Sequence, residues 1–100
     1  MEENKRHFPN RLRELRRRQG LSQKQVVTRV RGFDTPRLAR YEKGEVLPPF
    51  LHALKLSILY QEPLQVIFPE VAYRVRSEIL SNPAVVRSIR RRAYFREEAA

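Results

Sequence analysis

The segment Leu21–Gly44, LSQKQVVTRVRGFDTPRLARYEKG, contains the signals for two short helices separated by a tight turn. Ser22 and Gln25 have the spacing of a capping box, in which each side chain pairs with a free backbone N–H at the start of a helix. Gly32 can supply the left-handed turn that ends this first helix. The segment therefore predicts a helix that begins after Ser22 and stops before Gly32.

The second helix of the segment is delimited in the same way. Asp34 or Thr35 can cap its start, Pro36 lies in its first turn, and Gly44 can end it. Such a short, capped pair is the arrangement that a helix-turn-helix needs, because its second helix must project from a compact support into a DNA groove.

The second helix is predicted to be apolar on one side only. Leu38 and Tyr41, three residues apart, are expected to face the core. Arginine can bond guanine through two hydrogen bonds, threonine can bond base or phosphate, and alanine can contact a thymine methyl group. These residue types occupy the predicted outward positions, which are Thr35, Arg37, Ala39, Arg40 and Lys43.

Helical signals also flank this segment on both sides. Before it, apolar residues at helical spacing predict a helix over about 9–19, which Gly20 ends. After it, the pattern predicts a fourth helix at about 49–60 and a short fifth at 63–68. Sixth and seventh helices are expected on either side of Asn82-Pro83. No strand-like alternation occurs, so the fold class is predicted to be all-α.

Charge is the strongest feature of the composition. The 100 residues carry a net charge of +10, and the cations concentrate in 1–48 and 71–100, around an apolar middle. Such a field attracts polyanions, including nucleic acid. A solvated surface kept soluble by arginine accounts for the charge equally well.

Other classes of function lack their usual residues. The acids are scattered, cysteine is absent, and there is no glycine-rich phosphate loop, so we expect neither an enzyme nor a bound metal or cofactor. His7 and His52 have no neighbouring ligand residues. No apolar stretch approaches the roughly 20 residues of a membrane span, and there is no signal peptide, so a cytoplasmic location is expected.

Several motifs together resemble the Xre/Cro type of helix-turn-helix, the phage-repressor-like DNA-binding family. They are LRELRRRQGLSQ, the Gly32 turn, RLARYEKG, Pro48 and LQVIF, and the resemblance runs from Phe8 to Phe68. It implies a compact five-helix domain, here residues 1–69 with the motif at 22–44. The third helix of such a domain reads double-stranded DNA, commonly as a homodimer on a two-fold operator.

The resemblance also implies roles for single residues. Gln23 would contact the DNA backbone or brace the recognition helix, and Arg16 and Glu42 would form a salt bridge between helices 1 and 3. The chain departs from the family pattern in two places: Arg31 lengthens the turn by one residue, and Val27 replaces a small residue. The predicted DNA-binding set comprises Arg18, Gln23, Lys24, Thr35, Arg37, Ala39, Arg40 and Lys43.

Residues 70–100 lie outside the resemblance and form a predicted basic helical extension. On helix 4 the family's inward positions map to Phe50, Ala53, Leu54, Ser57 and Tyr60. Leu51 and Ile58 are then left on the outer face, and an apolar outer face favours cover by another helix. The predicted cover is the stripe of helix 6, in the same chain or, as we favour, in a second subunit. The predicted dimerisation residues are Leu51, Ile58, Val71, Val75 and Ile79.

Taken together, the sequence predicts a transcriptional regulator of bacterial or phage type, most simply a repressor that acts by occupying its operator. An alternative is an antitoxin-like or adaptor protein whose main task is to bind a protein partner through the extension. A basic RNA-binding protein is a third possibility. It would differ in its preference, because A-form RNA has a major groove too narrow for a helix to read.

Overall fold

The computed structural model of the chain describes residues 7–99, and their side chains as far as Arg91. Over this range every regular secondary-structure element is a helix, as predicted. The seven helices are α1 (Leu12–Arg18), α2 (Gln23–Val30), α3 (Thr35–Lys43), α4 (Phe50–Tyr60), α5 (Leu64–Ile67), α6 (Pro69–Leu80) and α7 (Pro83–Ala99). Residues 1–6 and 100, which belong to the two predicted segments, lie outside the described residues.

Helix α1 begins three residues later than predicted. Asn10 is the reason, because its Oδ1 accepts a hydrogen bond from the backbone N–H of Leu12 at 3.0 Å, while its Nδ2 donates to the carbonyl of Tyr41 at 2.8 Å. The side chain thus satisfies the first backbone N–H of the helix and ties the start of α1 to the end of α3. Pro9 therefore precedes the helix and is not part of its first turn.

The caps of α2 and α3 follow the sequence closely at three of their four ends. Ser22 Oγ accepts from the backbone of Gln25 at 3.1 Å, and Gln25 Oε1 accepts from the backbone of Ser22 at 2.8 Å. At α3 the cap is Asp34, whose Oδ1 accepts from the backbone N–H of Arg37 at 3.0 Å. Gly44 ends α3 with a left-handed φ of 76°.

The prediction for the end of α2 was wrong by one residue. The residue that caps α2 is Arg31, with φ 60° and ψ 155°, and Gly32 follows it with φ 107°. Both residues therefore have positive φ, although only the second is a glycine. The extra residue of the turn is absorbed at Arg31.

One apolar core joins the first five helices. Each of α1 to α5 contributes at least one fully buried side chain to it, among them Leu12, Val26, Leu38, Leu56 and Ile67. Backbone hydrogen bonds close the unit at both ends: Arg11 N–H donates to Ile67 O at 2.8 Å, and Phe8 N–H donates to Gly44 O at 3.0 Å. This core holds α3 on the surface of a small, closed support.

The inward face of α4 differs from the predicted one. Ala53 and Tyr60 are buried as expected, but the third buried residue is Leu56, which the sequence analysis did not single out. Phe50 and Leu54, both predicted to face inward, are 69% and 39% exposed. The helix is apolar nearly all round, so the position of α2 and α5, and not its own periodicity, decides which side is covered.

The extension is a pair of helices, and none of its side chains described as far as Arg91 is buried. No residue of α6 is buried, and α6 packs on α5 and on α7. As predicted, Asn82 starts α7, because its Oδ1 accepts from the backbone N–H of Ala84 at 2.9 Å. The boundary placed between residues 69 and 70 remains a prediction.

Candidate nucleic-acid interface

Helix α3 presents a cationic outer face. Leu38, Tyr41 and Glu42 are buried, whereas the exposed residues of the helix are Pro36, Arg37, Arg40 and Lys43. Within the part of the chain whose side chains are described, the guanidinium groups of Arg37 and Arg40 form no hydrogen bond and no ion pair. Both groups are therefore available to an anionic or hydrogen-bond-accepting ligand.

A buried ion pair holds α3 against α1. Arg16 Nε donates to Glu42 Oε2 at 2.6 Å, and its Nη2 donates to Glu42 Oε1 at 3.1 Å, so the expected salt bridge is bidentate. Only 12% of the Arg16 side chain and 4% of the Glu42 side chain are exposed. The hydrogen bonds to Glu42 raise the pKa of Arg16 above its ordinary value.

Two more hydrogen bonds complete this brace. Arg16 Nη1 donates to the carbonyl of Leu21 at 3.0 Å, and Gln23 Nε2 donates to Glu42 Oε1 at 3.1 Å. Gln23, which was predicted either to contact the DNA backbone or to brace the third helix, thus bonds to a residue of α3 within the chain. Glu42 is consequently bound from both α1 and α2, which fixes the rotation of α3 about its own axis.

An aromatic cluster supports the other side of α3. The Tyr41 hydroxyl and His52 Nδ1 are 2.8 Å apart, and the ring of Phe33 lies 4.6 Å from that of His52 and 5.4 Å from that of Tyr41. Burial raises the pKa of Tyr41. Sequence reasoning missed this contact of His52 and Phe33. The one available signal was an aromatic residue next to the glycine of the turn.

The remaining predicted DNA-binding residues lie in three different settings. Lys24 is exposed at the start of α2, and Thr35 and Ala39 are half-exposed on α3. Arg18 is exposed on α1, where its Nη2 is 2.9 Å from Glu14 Oε2. An exposed pair of this kind is weak and easily exchanged for another partner. Arg18 thus lies on a different helix from the cations of α3 and is already paired.

The predicted dimerisation residues are not brought together within one chain. Leu51 and Ile58 are 65% and 67% exposed on α4, and α6 does not cover them. Val75 and Ile79 instead line an apolar groove of about 1060 Å³ beside Phe50 and Ile89. Val71 also lines it, but it is half-buried against the chain's own core, so it is only in part a free surface residue.

Neither a candidate metal site nor a candidate membrane-spanning helix is found among the described residues. Residues 7–91 contain no group of three or more side chains that could hold a metal ion. None of the described helices combines the length and the apolar character that crossing a membrane requires.

Comparison with known proteins agrees with this geometry. Residues 8–56 match a family model described as a helix-turn-helix domain, which belongs to the Xre/Cro-like group of such domains. No curated protein and no solved structure matched the chain significantly. The match begins at Phe8, includes the whole of α1, α2 and α3, and ends inside α4. Residues 8–56 are thus similar to helix-turn-helix domains of the Xre/Cro-like group.

Proposed function

We propose that this protein is a sequence-specific regulator of transcription that binds double-stranded DNA and has no enzymatic activity of its own. The observation that carries the proposal is the outer face of α3, where Arg37 and Arg40 are exposed and their guanidinium groups have no hydrogen-bond or ion-pair partner among the described residues. Arg16, Glu42 and the core hold this helix rigidly, so its outer side chains are preorganised for a ligand.

The mechanism is insertion of α3 into the major groove, where Arg37 and Arg40 bond base edges. Helix α2 would cross the sugar–phosphate backbone, as the first helix of such a motif does. Lys43, Lys24 and Arg18 would add phosphate contacts, which contribute affinity without sequence information. Thr35 and Ala39 sit at the half-exposed margin of α3 and would complete the reading of bases.

Selection of duplexes from a randomised pool, followed by affinity measurements on variants, tests this function. Arg37→Ala and Arg40→Ala should each lower affinity for the selected duplex by about 1–3 kcal/mol and relax specificity at one base pair. Arg13→Ala is the matched control, because Arg13 is an exposed arginine on α1. If all three variants lose affinity equally on selected and scrambled duplexes, α3 is not the reader.

The electrostatic part of the proposal has its own test. Neutralisation of six or more phosphates would make affinity fall about a thousandfold or more between 50 and 200 mM salt. A nearly flat salt dependence would contradict a DNA-binding role for these cations. Repression by operator occupancy then requires that a selected site placed across a promoter blocks transcription in vitro, whereas the same site upstream does not.

We further propose that the protein binds as a homodimer through the extension. The support is the apolar groove beside Val75 and Ile79, together with the two-fold half-sites that such domains use, about one helical turn apart. Sedimentation at micromolar concentration should show a dimer that Ile79→Arg disrupts. A monomer would instead favour the adaptor or antitoxin-like function, in which a different protein occupies the groove.

A further inference from the structure

The turn between α2 and α3 contains a residue in a conformation that its side chain disfavours. Arg31 has φ 60° and ψ 155°, a combination that is essentially restricted to glycine. A glycine follows at once, at position 32, but it does not take this place. A non-glycine residue persists in such a conformation only where its surroundings impose it, and residues of this kind concentrate at functional sites.

Helix α4 contacts this turn through two of its side chains. Lys55 Nζ donates to the carbonyl of Arg31 at 3.0 Å. The same Nζ lies 3.1 Å from the place that a Cβ on Gly32 would occupy, and His52 lies behind it at 3.8 Å. Lys55 and His52 thus lie against the turn on the side of α4. On the side of α2, the backbone N–H of Arg31 donates to the carbonyl of Val27 at 3.0 Å.

The side chain of Arg31 is not needed for this support. It is exposed, and its guanidinium has no hydrogen-bond or ion-pair partner among the described residues. The strained backbone therefore gives the fold no hydrogen bond or ion pair of this side chain. What the conformation does provide is a cation at the entrance of α3, between the helix that would cross the DNA backbone and the helix that would enter the groove.

We propose that Arg31 contacts a DNA phosphate at the edge of the major groove, and that Lys55 is a positioning residue that holds the turn for this contact. The proposal rests on the proposed function, since it adds one phosphate contact to the same interface. Phosphate contacts from arginine fix the register and orientation of a protein on the duplex. Arg31 would thus help to set the depth and angle at which α3 enters.

Arg31→Gly tests the first part, because it removes the guanidinium and relieves the strained backbone at once. We expect the thermal midpoint of unfolding to rise, while affinity falls by the same factor for selected and scrambled duplexes. The plot of log affinity against log salt should become shallower, its slope losing about 0.9 in magnitude. The ratio of wild-type to variant affinity should therefore fall about threefold between 50 and 200 mM salt.

Two controls separate this contact from other effects. Arg29→Ala removes an exposed arginine of α2 that has no strained backbone, and it should leave both the slope and the unfolding midpoint near their wild-type values. Unchanged affinity and slope in Arg31→Gly would overturn the proposal if the wild type binds DNA and Arg37→Ala weakens it. A wild type that binds no duplex would instead remove the proposed function itself.

The role of Lys55 is tested by coupling. Lys55→Met keeps most of the side-chain length but loses the donor to the Arg31 carbonyl, so it should lower DNA affinity when Arg31 is present. In the Arg31→Gly background the same substitution should have little further effect. Additive losses of affinity and of salt slope would show that Lys55 contacts DNA by itself and would overturn the positioning role.

Discussion

The helix-turn-helix region of this protein and its C-terminal extension are both helical, yet they are stabilised in different ways. Every buried hydrophobic side chain of the described residues lies between Leu12 and Phe68, and none lies in α6 or α7. The first region adds an ion pair, caps and an aromatic cluster to its core. The contrast shows that helix signals alone do not make a domain, because isolated helices are only marginally stable without tertiary packing.

The largest difference in stability between the two regions is expected when the ion pair between Arg16 and Glu42 is removed from the first region. Glu42→Ala leaves the charge of Arg16 buried without its partner, and we expect the free energy of unfolding to fall by about 3–5 kcal/mol. Glu78→Ala, on the exposed surface of α6, should change it by no more than about 0.5 kcal/mol.

Denaturant unfolding of Glu42→Ala, Arg16→Ala and the double variant measures the coupling directly. The double variant should be much less destabilised than the sum of the two single variants, because each single variant strands one charge. Additivity would mean that the pair does not brace α3.

A second comparison sets one buried leucine against one isoleucine of the extension. Leu56→Ala empties space in the centre of the core and should lower the free energy of unfolding by about 2–5 kcal/mol. Ile79 is 47% exposed, so Ile79→Ala should lower the free energy of unfolding by about 0.5 kcal/mol or less at concentrations where the protein is monomeric. Equal losses would show that the extension shares the core of the first region.

The turn that ends α3 provides a third comparison, of intermediate size. At Gly44 a Cβ would lie 2.8 Å from the carbonyl oxygen of Phe8, and φ is 76°. Gly44→Ala should therefore lower the free energy of unfolding by about 1–3 kcal/mol, the usual range for such backbone strain. Gly20→Ala is the control, since φ is 71° but nothing lies within 4 Å. Its smaller loss in thermal unfolding isolates the effect of the clash.

The smallest expected effect has the opposite sign. The hydroxyl of Tyr60 is buried without a hydrogen-bond partner among the described residues, and burial raises the pKa of Tyr60 well above its ordinary value. Tyr60→Phe should leave the free energy of unfolding unchanged or raise it by up to about 1 kcal/mol. Tyr41→Phe, which loses the bond to His52, should lower it by about 1 kcal/mol. A clear loss in Tyr60→Phe would indicate that its hydroxyl is satisfied in solution.

Much of the first region could be predicted from short-range signals. The capping box at Ser22, the cap at Asp34 and the glycine at position 44 act within four residues, so they are legible in the sequence itself. The outward place of Arg37 and Arg40 follows from the same local register. The pairing of Arg16 with Glu42 came from the resemblance, and the structure contains it.

Other features depended on which elements came to lie beside one another. Helix α4 is apolar on almost every side, so its sequence pattern does not indicate which face is buried. Leu56 is buried and Phe50 is exposed because of where α2 and α5 pack. The side chain of Asn10 donates to the carbonyl of Tyr41, 31 residues away in sequence, and the side chain of Lys55 donates to the carbonyl of Arg31, 24 residues away. The sequence by itself determined the order of the helices, their caps and the cationic face of α3, because these follow from neighbours along the chain. The start of α1, the inward face of α4 and the strained turn at Arg31 were decided by the tertiary structure, because their partners are close in space and distant in sequence.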